Sequence, residues 1–280
     1  MRTDSETPSD ESVVYTVDPP VAVIRLNRPD RYNALNNEVL ARLRESVRDA
    51  EANPDVVGIV LTGTGKAFSS GWDTESLADD VGPNSTLRRL GPDDPTPEMF
   101  SYLLEVTKPV IAAVNGVAVA GGLVLAVLAD RRFADPSARF ATVFARRGLI
   151  AEHGSSWVLP RLVGLSKALD LLFTGRMVDA TEALSLGLID QIARDDVLEE
   201  ACAYVRLLAE TVAPESLRVT KQLVYRQLGD YDAAVREAWN TMIDSFSGPD
   251  PEEGARAFVE RRPPNFRRVG ARSAGEGEVR

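Results

Sequence analysis

The sequence predicts an α/β fold, and three features carry that prediction. Two apolar, β-branched runs, residues 56–61 and Val110–Val114, have the composition of strands buried on both faces. Segments with apolar residues at helical spacing alternate with strand-like ones, so the sheet is expected to be parallel in part. From about Asp196 onward the pattern turns all-helical.

Taken in order, residues 1–11 lack periodic apolar positions and are expected to form a tail. Residues 13–17 and Val21–Leu26 read as a strand pair, with a turn at Asp18, Pro19 and Pro20. Val39, Leu40, Leu43, Val47 and Ala50 share one helix face, and Asn53-Pro54 stops that helix. A shorter strand is expected at Arg131–Ala134. Residues 12–195 form the expected α/β core, with 196–267 as a helical region and 268–280 as a second tail. Within the helical region, Asp196 to Glu199 fits a capping box, followed by a stripe of Val197, Ala201, Val205, Leu208 and Val212. Cys202 sits beside that stripe as a small core residue. A second stripe runs through Ala234, Val235, Ala238, Trp239, Met242, Ile243 and Phe246. Such helices pack on the flank of the α/β unit or on a neighbouring subunit.

Composition narrows the chemistry. With one Cys and one His, a zinc site of several Cys and His ligands cannot be built, nor an intrachain disulfide, and the use of cysteine suits a reducing compartment. A carboxylate is then the expected proton carrier. The formal charge of −10 argues against nucleic acid as a partner, so an anionic ligand must be met by a local basic cluster or by backbone N–H groups. The longest apolar run is interrupted by Gly121 and Gly122 and is too short to span a membrane. Residues 1–12 are polar, so no secretory signal is expected and a cytoplasmic protein is.

Two glycine-bearing loops each follow a strand. The first, residues 62–73 (TGTGKAFSSGWD), has Gly63, Gly65 and Gly71 to allow positive φ and close backbone approach, but it lacks the spacing of a phosphate loop. The second, NGVAVAGG at 115–122, leads into a buried helix whose first N–H groups face beyond the strand end. Together they could aim two N–H donors at one carbonyl oxygen, which is an oxyanion hole.

Four motifs, NRPxxxNAL (27–35), AFSSGWD (67–73), NGxAxAGG (115–122) and FVERRxPNF (258–266), occur in the order of the crotonase, or enoyl-CoA hydratase/isomerase, superfamily. The resemblance covers residues 13–268. It implies a crotonase-like spiral of ββα units with a helical C-terminal trimerisation region, as a homotrimer or hexamer. It also implies binding of an acyl-CoA thioester, polarised by the backbone N–H groups of Trp72 and Gly121. The CoA portion would lie on Arg28, Arg31, Tyr32 and Ser70, with Arg261 or Arg262 meeting the phosphates. No metal and no cofactor beyond the CoA of the substrate is expected.

The family's hydratases use two glutamates, and the matching positions here are Val124 and Phe144. Instead, Glu152 stands in EHGSSW (152–157), a pattern that looks like that of peroxisomal-type enoyl-CoA isomerases, where one glutamate shuttles a proton. The resemblance thus implies enoyl-CoA isomerisation, with enoyl-CoA hydration or a non-catalytic acyl-CoA-binding role as alternatives. Read without it, Glu152 could equally be a surface loop acid or a helix cap before Ser155 and Ser156. Adjacent side chains on a strand or helix point apart, so direct cooperation with Glu152 is not expected and His153 is read as structural or as backing the site residues. Asp73 is expected to organise its loop, and residues 77–98 to cover the acyl site irregularly.

Overall fold

The chain enters its sheet through a hairpin: β1 (Val13–Asp18) and β2 (Val21–Leu26) pair antiparallel, Val13 opposite Leu26. The computed structural model describes residues 11–73, 99–227 and 250–264, with isolated positions between 233 and 248. Residues 77–98, expected to cover the acyl site, nearly all of the two tails, and Ala234, Ala238 and Met242 of the second helical stripe lie outside the described residues.

Helix α1 (Asn37–Ala52) begins where Asn36 Oδ1 accepts the N–H of Val39 at 2.9 Å. Its buried face carries Val39, Leu43, Val47 and Ala50, a three-to-four-residue spacing that turns one stripe to the core. There follow β3 (Gly58–Gly63), β4 (Ala67–Ser69), α2 (Tyr102–Glu105), β5 (Val110–Val114), β6 (Val117–Val119), α3 (Gly121–Val127), β7 (Arg131–Ala134) and β8 (Arg139–Ala141). Next come α4 (Ser155–Val163), α5 (Leu165–Thr174), β9 (Val178–Asp179), α6 (Ala180–Leu186), β10 (Gln191–Ile192), α7 (Val197–Thr211), α8 (Pro214–Gln227) and α9 (Asp250–Val259).

The strands form two sheets, ordered β1-β2-β3-β5-β7-β10 and β4-β6-β8-β9. Each pair β3/β4, β5/β6 and β7/β8 gives its first strand to the large sheet and its second to the small one, all in parallel register. The chain therefore advances as a spiral. Strands β3 and β5 lie inside the large sheet and are buried along their whole length, which is why their sequences run apolar without alternation.

Helix α7 covers one face of the large sheet, placing Val197, Ala201, Cys202 and Val205 against Val60, Ile111 and Phe133. Asp196 caps it by accepting the N–H of Glu199 at 2.8 Å. The approach is close: a Cβ at Gly58 would stand 2.8 Å from Val205 Cγ1. Burial of Cys202 pushes its thiol up to about 11. Helix α8 is pinned by a half-buried cluster in which Lys221 Nζ donates to Asp130 Oδ2 at 2.7 Å and Tyr225 donates to Asp130 Oδ1 at 2.8 Å. Helix α9 packs on the single turn Ala145–Arg147, where Gly254 meets the carbonyl of Arg147 too closely for any side chain.

Candidate active site

Two loops at the ends of β4 and β6 meet backbone to backbone. Gly71 takes φ of +87°, and a Cβ there would stand 2.8 Å from Val119 O, 3.0 Å from Ala120 Cβ and 3.2 Å from Gly121 N. Ala120 is itself left-handed, at +49°, and Gly122 abuts the carbonyl of Ser69 with no room for a side chain. Trp72 and Gly121, the two donors expected from the sequence, thus belong to adjoining segments. Gly63 departs from expectation: it is a strand residue needed for close approach to the carbonyls of Ala67 and Phe68, while positive φ falls on Gly65 and Gly71.

Polar side chains hold this junction. Asn33 Nδ2 donates to Thr64 O at 3.0 Å and Ala67 O at 2.7 Å, and its Oδ1 accepts the N–H of Arg28 at 2.8 Å. Asn115 Oδ1 accepts the N–H of Gly63 at 3.0 Å, and its Nδ2 donates to Gly65 O at 3.0 Å. Ser69 Oγ donates to Asn33 O at 2.8 Å and accepts the N–H of Gly71 at 3.2 Å. The Leu35 N–H donates to Gly71 O and the Asp73 N–H to Leu35 O, both at 2.8 Å, fixing residues 71–73 beside the first motif. Sequence reasoning passed over Asn33, Ser69 and Asn115; the signal for the asparagines was their place inside two of the motifs.

The expected CoA-binding residues divide into two groups. Arg28 is committed inside the protein: its guanidinium donates to Ala34 O at 2.6 Å and pairs with Asp73 at 2.9 Å. It therefore fastens the loop, and Asp73 organises that loop as expected. Arg262 is likewise held, by Glu253 at 2.6 Å and Glu260 at 2.5 Å. Arg31 and Tyr32 are exposed, and the Tyr32 carbonyl accepts the N–H of half-buried Ser70 at 3.0 Å, so these three form one continuous patch. Arg261 is exposed on the α9 side.

Glu152 is neither a surface acid nor a helix cap. Its side chain is 11% exposed, and the Ser155 N–H at the start of α4 bonds to the Glu152 backbone carbonyl at 2.9 Å. Its position relative to His153 corrects the expectation that the two side chains diverge: His153 Nε2 lies 3.4 Å from Glu152 Oε2. The cause is backbone geometry. His153 and Gly154 are both left-handed, at +54° and +78°, a conformation that is neither strand nor helix. The edge of Phe100 packs on the imidazole at 6.2 Å between ring centroids. Arg147 also faces Glu152: burial lowers the guanidinium below its usual range, and the carboxylate pulls it back up. Val124 and Phe144 are 1% and 3% exposed, buried members of the main core. Among the described residues no group of three or more His, Cys, Asp or Glu side chains is placed to hold a metal, and no helix is long and apolar enough to cross a membrane.

A two-sheet spiral in which the loops after β4 and β6 meet backbone to backbone has the arrangement of a crotonase fold, and known proteins agree. The family model described as Enoyl-CoA hydratase/isomerase matches residues 17–269, and the chain belongs to that family of enzymes. A Thermus thermophilus protein provisionally named an enoyl-CoA hydratase is 40% identical over 255 residues, covering 88% of this chain and 97% of its own. A Mycobacterium tuberculosis protein with the same provisional name is 41% identical over 245 residues, 86% of this chain and 94% of its own. The crystal structure of an enoyl-CoA hydratase/isomerase from Pseudoalteromonas atlantica superposes with a TM-score of 0.80 at 30% identity, covering 91% of this chain and all of that one. That of a carnitinyl-CoA hydratase from Mycobacterium avium gives 0.80 at 28%, covering 92% and 99%.

Proposed function

We propose that this enzyme processes acyl-CoA thioesters and isomerises a 3-enoyl-CoA to the 2-enoyl-CoA. The observation that carries the reading is Glu152, a mostly buried carboxylate spent on no cap, in a chain whose two hydratase carboxylate positions are filled by core side chains. Glu152 takes a proton from C2, charge moves onto the thioester oxygen between the N–H groups of Trp72 and Gly121, and Glu152 returns the proton to C4 as the double bond moves. The proton lost at C2 is the one gained at C4, and no separate cofactor is drawn on, the CoA being part of the substrate. Arg31, Tyr32, Ser70 and Arg261 are the surface for the CoA, and Arg28 keeps its loop in shape. We place the enzyme in the cytoplasm, the reducing setting that its single buried thiol suits.

The provisional names of its relatives favour hydration as a second reading. The two separate on offering 3-hexenoyl-CoA and crotonyl-CoA. Isomerisation of the first is expected, and turnover of the second alone would overturn the proposal. Glu152→Gln is expected to lower kcat by a factor of about 10² or more, the span of a positioned acid–base group.

A further inference from the structure

The left-handed turn at residues 153–154 has an effect that helix or strand geometry would forbid: it turns two consecutive side chains toward each other. We propose that His153 is the positioning residue of Glu152, holding one carboxylate oxygen so that the other is presented to the substrate. This rests on the isomerase reading and deepens it.

Four observations support it. The only imidazole in the chain lies against the proposed proton carrier, with Nε2 at 3.4 Å from Oε2. Both side chains are largely withdrawn from water, at 16% and 11% exposed, so a restraint between them is not diluted by solvent. The imidazole is itself fixed by the edge of Phe100, a residue 1% exposed, with ring planes at 80°. Arg147, which also interacts electrostatically with Glu152, has its guanidinium over the Phe258 ring at 4.7 Å. The separation, 3.4 Å, is longer than a good hydrogen bond, and catalytic hydrogen bonds commonly tighten when substrate is bound.

The chemistry gives the restraint a purpose. A proton carried from C2 to C4 leaves and returns through one oxygen, and a carboxylate free to rotate offers that oxygen in many wrong directions. An Nε2–H donor on the second oxygen removes that freedom. His153 moves no atom of substrate in this account, and its loss slows turnover while leaving the thioester bound.

The test compares variants of His153 and Glu152 in 3-enoyl-CoA isomerisation. His153→Gly deletes the ring while accepting the left-handed backbone, and His153→Gln keeps a side-chain N–H with similar reach. The expected result is a kcat lower by about tenfold or more in His153→Gly with KM changed less than about twofold, and most of the loss recovered in His153→Gln. Unchanged kcat in His153→Gly, a loss confined to KM, or a His153→Gln variant as slow as His153→Gly would overturn the proposal. If thermal melting shows His153→Gly unfolded, His153→Gln against His153→Leu decides, with equal kcat values counting against. Glu152→Gln separates the two levels: full activity there removes the base assignment itself, whereas an inactive Glu152→Gln beside a fully active His153→Gly removes only the role of His153.

Discussion

Gly71 shows how much of the site rests on one missing methyl group. Its +87° φ favours glycine, and a Cβ would press on Val119 O and Ala120 Cβ, the residues leading into Gly121. Gly71→Ala should separate the two N–H groups proposed as donors and lower kcat by roughly 10²-fold, as misplacement by an ångström can. Steady-state kinetics beside a circular-dichroism melt would distinguish this from unfolding. Trp72, Gly121 and Glu152 could be named as candidates from the sequence because each sits in a motif with a fixed offset, and the fold brings the segments of Trp72 and Gly121 together. The contact between Glu152 and His153 was not legible, since it depends on a backbone angle at His153 that no residue type there announces. The pairing of Arg28 with Asp73, 45 positions apart, was equally hidden, and it gives the expected ligand residue a structural partner as well.

Among the elements, long ones declared themselves and short ones did not. Helix α1 was readable from its stripe and from Asn53-Pro54, and β3 and β5 from their continuous apolar runs. The spiral of ββα units came through the family resemblance and not from periodicity, because its second strands β4, β6 and β8 have three residues each, too few to show a period. The placement of α8 is set by side chains from distant segments: Lys221 reaches Asp130 and the carbonyls of Leu103 and Lys108. Burial holds the Lys221 ammonium below its usual range while Asp130 opposes the shift. Replacing one partner strands the other, so Lys221→Met should cost about 3 kcal/mol of stability, measurable by urea denaturation. Asp130 would keep Tyr225 and the Val110 N–H, which sets the expectation at the low end for a broken buried pair.

For the molecule as a whole, the informative surface is apolar. Leu165, Leu169 and Phe173 recur every four residues along α5 at 68%, 38% and 72% exposed, with Met177 beyond them at 52%. A stripe of that kind favours a protein partner, and beside the helices of 196–267, where Leu207, Leu223 and Val259 are also exposed, we propose α5 as an additional contact face between copies of this chain. Leu169→Glu with Phe173→Glu should convert the assembly to monomers in sedimentation velocity, and a wild-type chain that already sediments as a monomer would remove the idea. The seal of α7 over the large sheet carries a practical corollary. Cys202 is the sole thiol, closed off from solvent and held protonated at neutral pH. A cysteine introduced at an exposed position would be the one reactive sulfur in the native protein, so fluorophores or spin labels can be attached site by site without first stripping the chain of its own.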